Sequence, residues 1–371
     1  MNLVIHDLNE KDWERFKADY EGWTVISDNG NIHPCIGCFS CWNKTPGECV
    51  IRDGYHEMGK LIHEAGEVVV ISRFTYGGFS SFVKNVFDRS LGYVLPQFEV
   101  IGGETHHQKR YPEEKSFSFI FYGSGLTEAD KKSAIKYVKA VCTNIRGVVK
   151  DVTFVDNLAT LGSPNVREFG MRGKVILLNG SMRGVNANSY KFGLKLSEYL
   201  GEESEFLHLK DYRKDLSGLV SSLGEAEVIV LCIPLYVDGL PSQVIRLFET
   251  FQKTYSGRAL KVYVLSNMGL YETSQLNDLF AAVHKWCDCM HFEYCGGVGL
   301  SAGEMFGVVM QVLPFHLGPT RYASKVVQML AKSIDGRKAM EDTFAEPFLF
   351  PRWLYIAVAN TNWRITAKKT A

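Results

Sequence analysis

The chain has 371 residues, with 41 basic side chains balanced by 41 acidic ones, and its length points to two domains of roughly 150–200 residues each. Its 46% hydrophobic content excludes a disordered chain. The charge balance excludes a nucleic-acid binder driven by phosphate neutralisation and a polybasic membrane anchor.

The start, MNLVIHDLNEKDWERF, has a short apolar strand and then turns acidic at Asp7, unlike a secretory leader. The apolar runs Gly307–Leu317 and Trp353–Ala359 fall short of the ~20 residues that span a bilayer. The expectation is a cytoplasmic protein with no membrane and no nucleic-acid partner. The loop after the first strand, Asp7-Leu8-Asn9-Glu10-Lys11-Asp12, has three acids and no glycine, so it would repel an anion.

Next come Cys35, Cys38, Cys41 and Cys49, spaced C-x2-C-x2-C-x7-C. Three thiolates at two-residue gaps can wrap one face of a [4Fe–4S] cluster, with a fourth arriving from a short loop. Zinc more often takes two separated C-x2-C pairs, and plain or redox-active thiols are the third reading. His106-His107 reads as a solvated pair in a polar loop.

Residues 67–89 (EVVVISRFTYGGFSSFVKNVFDR) and 227–249 (EVIVLCIPLYVDGLPSQVIRLFE) repeat one pattern: apolar strand, Tyr with a Gly-containing turn, amphipathic helix. The pairing sets Tyr76 against Tyr236 and Phe87 against Phe248, with one residue of slip in the turn. FIFYGSGLTE (119–128) echoes VYVLSNMGLYE (262–272), and LVIHD (3–7) matches KVILLNG (174–180). Short strands without alternation, interleaved with helices, mean an α/β fold: two doubly wound parallel sheets in tandem. The boundaries are 1–165, 172–335 and a C-terminal aromatic-rich tail, 336–371, read as a helix packed on the body or on a second copy. The linker lies near 160–173. Cys232 and Cys295 read as core strand residues, and Cys287 and Cys289 as part of a packed helix.

The second half carries three segments at strand carboxyl ends, where ligands bind in such sheets. Ser181-Met182-Arg183-Gly184-Val185-Asn186-Ala187-Asn188-Ser189 precedes a helix, so its backbone N–H groups can converge on an anion. The competing reading is a polar loop in which Asn188 or Ser189 caps the helix. Pro234–Pro241 and Ser266–Glu272 offer backbone donors and flat apolar surface. One phosphate and one flat ring describe FMN.

These segments make the second half resemble the NADPH-dependent FMN reductase family of flavodoxin-like proteins, and the first half resembles it more weakly. The resemblance implies two flavodoxin-like domains. It implies FMN phosphate contacts at Ser181, Arg183, Asn186, Asn188 and Ser189, and ring contacts at Pro234, Leu235, Tyr236, Val237, Gly239, Asn267, Met268, Gly269, Tyr271 and Glu272. Met182 stands where a proline is usual. The cysteine loop resembles that of the iron–sulfur flavoprotein branch, where it shares a domain with the FMN loop; here the two are split. The implied activity is FMN-dependent electron transfer from NAD(P)H to a small-molecule acceptor or redox partner protein. The alternative is a non-catalytic flavin, or iron–sulfur flavin, electron carrier. Single-domain relatives pair through a flavin-side interface, so the chain is expected as a monomeric pseudo-dimer or a homodimer.

Overall fold

The computed structural model describes residues 1–156 and 173–370. Except for Gly173, the linker read near 160–173 lies outside them. The chain divides into two compact units, Met1–Thr160 with Ile356–Ala371, and Leu161–Tyr355.

The first unit contains β1 (Leu3–His6), β2 (Thr24–Ser27), β3 (Val68–Arg73), β4 (Val94–Ile101), β5 (Glu104–Lys109), β6 (Lys115–Tyr122) and β7 (Gly147–Val155). Five of them form a parallel sheet in the order β2-β1-β3-β6-β7, the doubly wound order of flavodoxin-like proteins. The uninterrupted apolar run of β3 is buried, and Phe79, Phe87, Phe117, Phe119 and Phe121 stack beside the sheet.

The remaining two strands form an antiparallel hairpin, β4–β5, that the sequence reading did not anticipate. Its signal was present in Gly102-Gly103, whose φ of +58° and +92° suit a two-residue hairpin turn. The hairpin corrects the reading of His106-His107 as a solvated pair: His106 is buried in β5, 2% exposed. His107 packs against Trp42 and Phe98.

The second unit contains β8 (Lys174–Asn179), β9 (Ser204–His208), β10 (Ala226–Pro234), β11 (Lys261–Asn267), β12 (Glu293–Leu300) and β13 (Thr343–Ala345). Their order is β13-β12-β11-β10-β8-β9, all parallel, so the same five-strand order recurs with one added edge strand. The α/β fold of two flavodoxin-like sheets in tandem is thereby present. Cys232 and Cys295 are buried in β10 and β12, and Cys287 in the helix Asn277–Met290.

The repeat holds with one correction. The turn is Thr75–Gly78 in the first unit and Tyr236–Gly239 in the second, each closed by paired backbone hydrogen bonds. Tyr76 therefore matches Val237, not Tyr236. The extra residue lies ahead of the turn, in the longer β10, and the two tyrosines coincide only by letter.

The tail supplies β13 and the helix Arg352–Thr370. Within the second unit, Arg352 pairs with Glu272 at 2.9 Å, Tyr271 donates to the Phe350 carbonyl at 2.8 Å, and the Tyr355 hydroxyl donates to the Gly269 carbonyl. Within the first, Asn360 accepts from Phe98 N–H at 2.7 Å and donates to its carbonyl at 3.0 Å, while Trp363 packs on Phe39 and Trp42. Among the described residues no helix is long and apolar enough to cross a membrane.

The helix Ser81–Arg89 has a polar face, Lys84, Asn85, Asp88 and Arg89, that is buried nevertheless. The cysteine-bearing segment covers it. Arg89 uses every guanidinium N–H: two to Asp53 at 2.8 and 2.9 Å, and one each to the His33 carbonyl, the Ile51 carbonyl and Cys49 Sγ. Burial alone would raise the Asp53 carboxyl. The Arg89 hydrogen bonds, with those from the His33 and Tyr55 N–H groups, instead hold it well below the usual range. Arg89→Met leaves Asp53 buried without its partner and is expected to cost about 3–5 kcal/mol in chemical denaturation. Arg52→Ala, which removes a half-exposed pair with Glu48, is expected to cost less than about 1 kcal/mol.

Candidate functional site

The carboxyl ends of β8, β10 and β11 lie side by side, and the three segments singled out in the sequence follow them directly. The first is organised by Asn179, fully buried at the end of β8. Its Nδ2 donates to the Gly184 carbonyl at 2.9 Å and meets His208 Nδ1 at 3.1 Å. Its Oδ1 accepts from Ser181 N–H at 3.2 Å and Ser189 Oγ at 3.1 Å. One carboxamide thus shapes the loop from Ser181 to Ser189. In the sequence Asn179 is only one letter of the run KVILLNG, and no spacing distinguishes it from any other asparagine there.

The loop turns through Gly184 at φ +60°, then Gly184–Asn186 forms one short turn before the helix Asn188–Ser197. The residue ahead of that helix is Ala187, with no side-chain cap. The capping role weighed for Asn188 or Ser189 is therefore corrected: both stand inside the helix. Its first N–H groups have no intrahelical acceptor and carry the partial positive charge of the dipole. Ser189 spends its hydroxyl on Asn179, Ser181 Oγ accepts from Arg183 N–H at 3.3 Å, and Asn188 abuts Gly307. Arg183 pairs with Glu304 at 3.2 Å, and Asn186 is exposed.

The second segment leaves β10 at Pro234, where Leu235 N–H donates to the Asn267 carbonyl. Val237 and Asp238 then take φ of +42° and +52° in the Tyr236–Gly239 turn. Two successive non-glycine residues in that region cost on the order of 1–3 kcal/mol each, and such strain concentrates at ligand-binding edges. The third segment begins at Asn267, whose Oδ1 is buried without a hydrogen-bond partner. Met268 N–H donates to the Leu300 carbonyl, and nothing stands within 4 Å of where a side chain on Gly269 would begin. Tyr271 and Glu272 turn instead to Phe350 and Arg352. An orphaned acceptor, open space over a glycine and an uncapped helix start along one sheet edge fit a flat, hydrogen-bonding ring with a phosphate tail.

The equivalent edge of the first unit carries aromatic side chains. His6, at the end of β1, stacks on Trp13 at 4.0 Å, and Tyr20 and Trp23 continue the aromatic cluster. Asp7 turns inward to accept Arg73 N–H, and Asn9 caps the turn that follows by accepting Asp12 N–H. The site was read as lost through charge. Besides its acids, the loop after β1 carries this aromatic cluster, where the second unit has a loop of small residues.

The four cysteines lie in one segment over the helix Ser81–Arg89, but no three Cys, His, Asp or Glu side chains converge to hold a metal among the described residues. Burial pushes the Cys35 thiol up and the Cys41 thiol up to about 12, with neighbouring cysteines adding. Cys49 Sγ accepts from Arg89, and Cys38 is exposed. As arranged, these residues do not fit the [4Fe–4S] cluster that the spacing allowed.

Burial holds His6 down to about 4, against about 6.5 in an unfolded chain. The unfolded state therefore binds the extra proton first, so His6 lowers stability as pH falls from about 6.5 to 4. His6→Phe is expected to flatten that part of the pH–stability profile, read by urea denaturation across the range. Asn179→Leu leaves Ser181 N–H, the Ser189 hydroxyl and the Gly184 carbonyl without their partner. It is expected to cost about 1–3 kcal/mol in the same assay.

No family model matches the chain. Over 59 residues it is 39% identical to an iron–sulfur flavoprotein of Methanocaldococcus jannaschii, covering 16% of this chain and 30% of that one. Over 76 residues it is 33% identical to an iron–sulfur flavoprotein of Archaeoglobus fulgidus, covering 20% and 34%. The chain thus spans about a third of the length of these curated relatives. Solved structures similar to it include an azoreductase from Bacillus anthracis str. Sterne, at 12% identity and TM-score 0.32, covering 44% of this chain and 99% of that one. Another is an NAD(P)H:quinone oxidoreductase from Methanothermobacter marburgensis, at 12% identity and TM-score 0.33, covering 46% and 98%. The strand order of both sheets and the segments shared with the iron–sulfur flavoproteins make this chain a tandem flavodoxin-like protein, similar to the NADPH-dependent FMN reductase family.

Proposed function

We propose that the second unit binds FMN and that the chain is an FMN-dependent NAD(P)H oxidoreductase, delivering electrons to a small-molecule acceptor or a redox partner protein. The observation that carries this reading is the uncapped start of the helix Asn188–Ser197 after β8, together with the orphaned Asn267 carboxamide oxygen at the end of β11, two strands away on the same sheet edge. Bound FMN would supply hydride acceptance from NAD(P)H and onward electron delivery.

The chain's own part is to bind and orient. Backbone N–H groups at the start of that helix hold the phosphate, with Ser181, Arg183, Asn186, Asn188 and Ser189 shaping the loop. Pro234, Leu235, Tyr236, Val237 and Gly239 form a turn whose strained backbone faces the ring. Asn267, an acceptor in want of a donor, suits the imide N–H of a flavin, and Met268 and Gly269 leave room for the ring beside it. Tyr271 and Glu272 act at one remove: their bonds to residues 350–352 hold the third segment in place. In this reading residues 172–335 are the flavin domain, 1–165 a domain without flavin, and 336–371 an extension supplying β13. The cysteine loop is read as thiols, because no three metal-ligating side chains converge there among the described residues and burial favours the protonated form of Cys35 and Cys41.

Protein purified without oxygen is expected to show flavin absorption at one FMN per chain, to lack stoichiometric iron, and to consume NAD(P)H in the presence of a quinone or ferric acceptor. Two FMN per chain would overturn the reading of the first unit, and about four irons that of the cysteine loop. Bound flavin with negligible turnover would leave the protein an electron carrier rather than an enzyme.

A further inference from the structure

The loop Ser181–Ser189 has a cationic neighbour on a different strand. Lys210 stands in the short turn Leu209–Tyr212 immediately after β9, the strand beside β8. A side chain built on Gly184 would lie 3.2 Å from Lys210 Cδ and 3.7 Å from its Nζ, so the ammonium sits over the backbone of the loop. The contact between His208 Nδ1 and Asn179 Nδ2 ties the end of β9 to the same loop at 3.1 Å. Lys210 is exposed and makes no ion pair among the described residues. Arg183, the cation that the sequence singles out, already shares its charge with Glu304 at 3.2 Å.

We infer that Lys210, rather than Arg183, supplies the main counter-charge for a phosphate monoester held at this loop; the inference rests on the FMN reading above. A phosphate monoester carries close to two negative charges at neutral pH, and a cation without a carboxylate partner complements it without first giving up an ion pair. A guanidinium held by Glu304 brings little net charge. Asn267 Oδ1, unpartnered and 7% exposed by residue at the end of β11, is an independent sign that a ligand completes this edge. The chemistry selected is a phosphorylated flavin over the same ring without phosphate.

The test is titration of flavin-stripped full-length protein with FMN and with riboflavin, at low and at high salt, for the wild type, Lys210→Met, Lys210→Arg and Arg183→Met. The wild type is expected to prefer FMN strongly. Lys210→Met should lose about tenfold or more in FMN affinity, leave riboflavin binding unchanged and flatten the salt dependence. Lys210→Arg should restore FMN binding, and Arg183→Met should cost less than Lys210→Met. If Lys210→Met binds FMN as the wild type does, or Arg183→Met costs more, the assignment of Lys210 is wrong while the FMN site stands. If the wild type binds riboflavin as tightly as FMN, the phosphate placement itself falls.

Discussion

The buried carboxamide of Asn179 is the interaction on which the candidate site depends. Its two ends serve opposite needs: Oδ1 gathers the Ser181 N–H and the Ser189 hydroxyl, and Nδ2 reaches the Gly184 carbonyl and His208. A buried polar group is tolerated only when its bonds are made, and here making them dictates the course of ten residues. Because Ser189 is spent inward, the helix start must find its acceptor elsewhere. Gly180 belongs to the same arrangement, since a Cβ there would stand 2.5 Å from Ile233. The loop can lie this close to the sheet only because that side chain is missing.

The two units repeat one fold and differ in what sits on one edge. Both have the same strand order and the same tight turn after the third strand of the sheet, with positive φ at Tyr76 and Gly77 in one and at Val237 and Asp238 in the other. At the end of the first strand they diverge. The second unit has a loop of small residues and an uncapped helix, while the first has the His6–Trp13 stack and a turn capped by Asn9. The divergence continues on the helix after the turn. In the first unit its polar face carries the buried Lys84–Asp88 pair beside Asn85 and Arg89, and the five bonds of Arg89, with the Cys35 N–H bond to Asn85, anchor the cysteine segment over it. That segment is a cover whose polar underside matches a polar helix face.

The cysteine spacing shows where one-dimensional pattern and three-dimensional placement part. C-x2-C-x2-C-x7-C leaves a cluster, zinc and thiols all open, since spacing constrains only which sulfurs can meet. What the sulfurs meet is decided by residues far away in sequence. Arg89, forty residues beyond Cys49, takes up its sulfur, and Asn85, fifty beyond Cys35, holds the backbone there.

Much of the fold was legible in the sequence because it rests on local signals. Uninterrupted apolar runs ending in turn residues give buried parallel strands, and their recurrence at a spacing of about 160 residues gives the tandem arrangement. The three segments of the candidate site were legible for the same reason, each being a strand end read directly from the chain. The hairpin β4–β5 was equally local, through Gly102-Gly103. Other features depended on contacts between distant segments, which no local pattern encodes. Tyr76 and Tyr236 share a letter but not a place, because the backbone bonds of the turn set the register. His106 is polar by type and buried by its strand pairing. Tyr271 and Glu272 are committed to residues some eighty positions downstream, and Lys210 comes to lie over Gly184 only because β9 pairs with β8. Sequence determined the strands, their order of appearance and the sheet edge that carries the three segments of the candidate site. Tertiary structure decided which side chains at that edge remain available, because hydrogen bonds and ion pairs are spent between segments that only folding brings together.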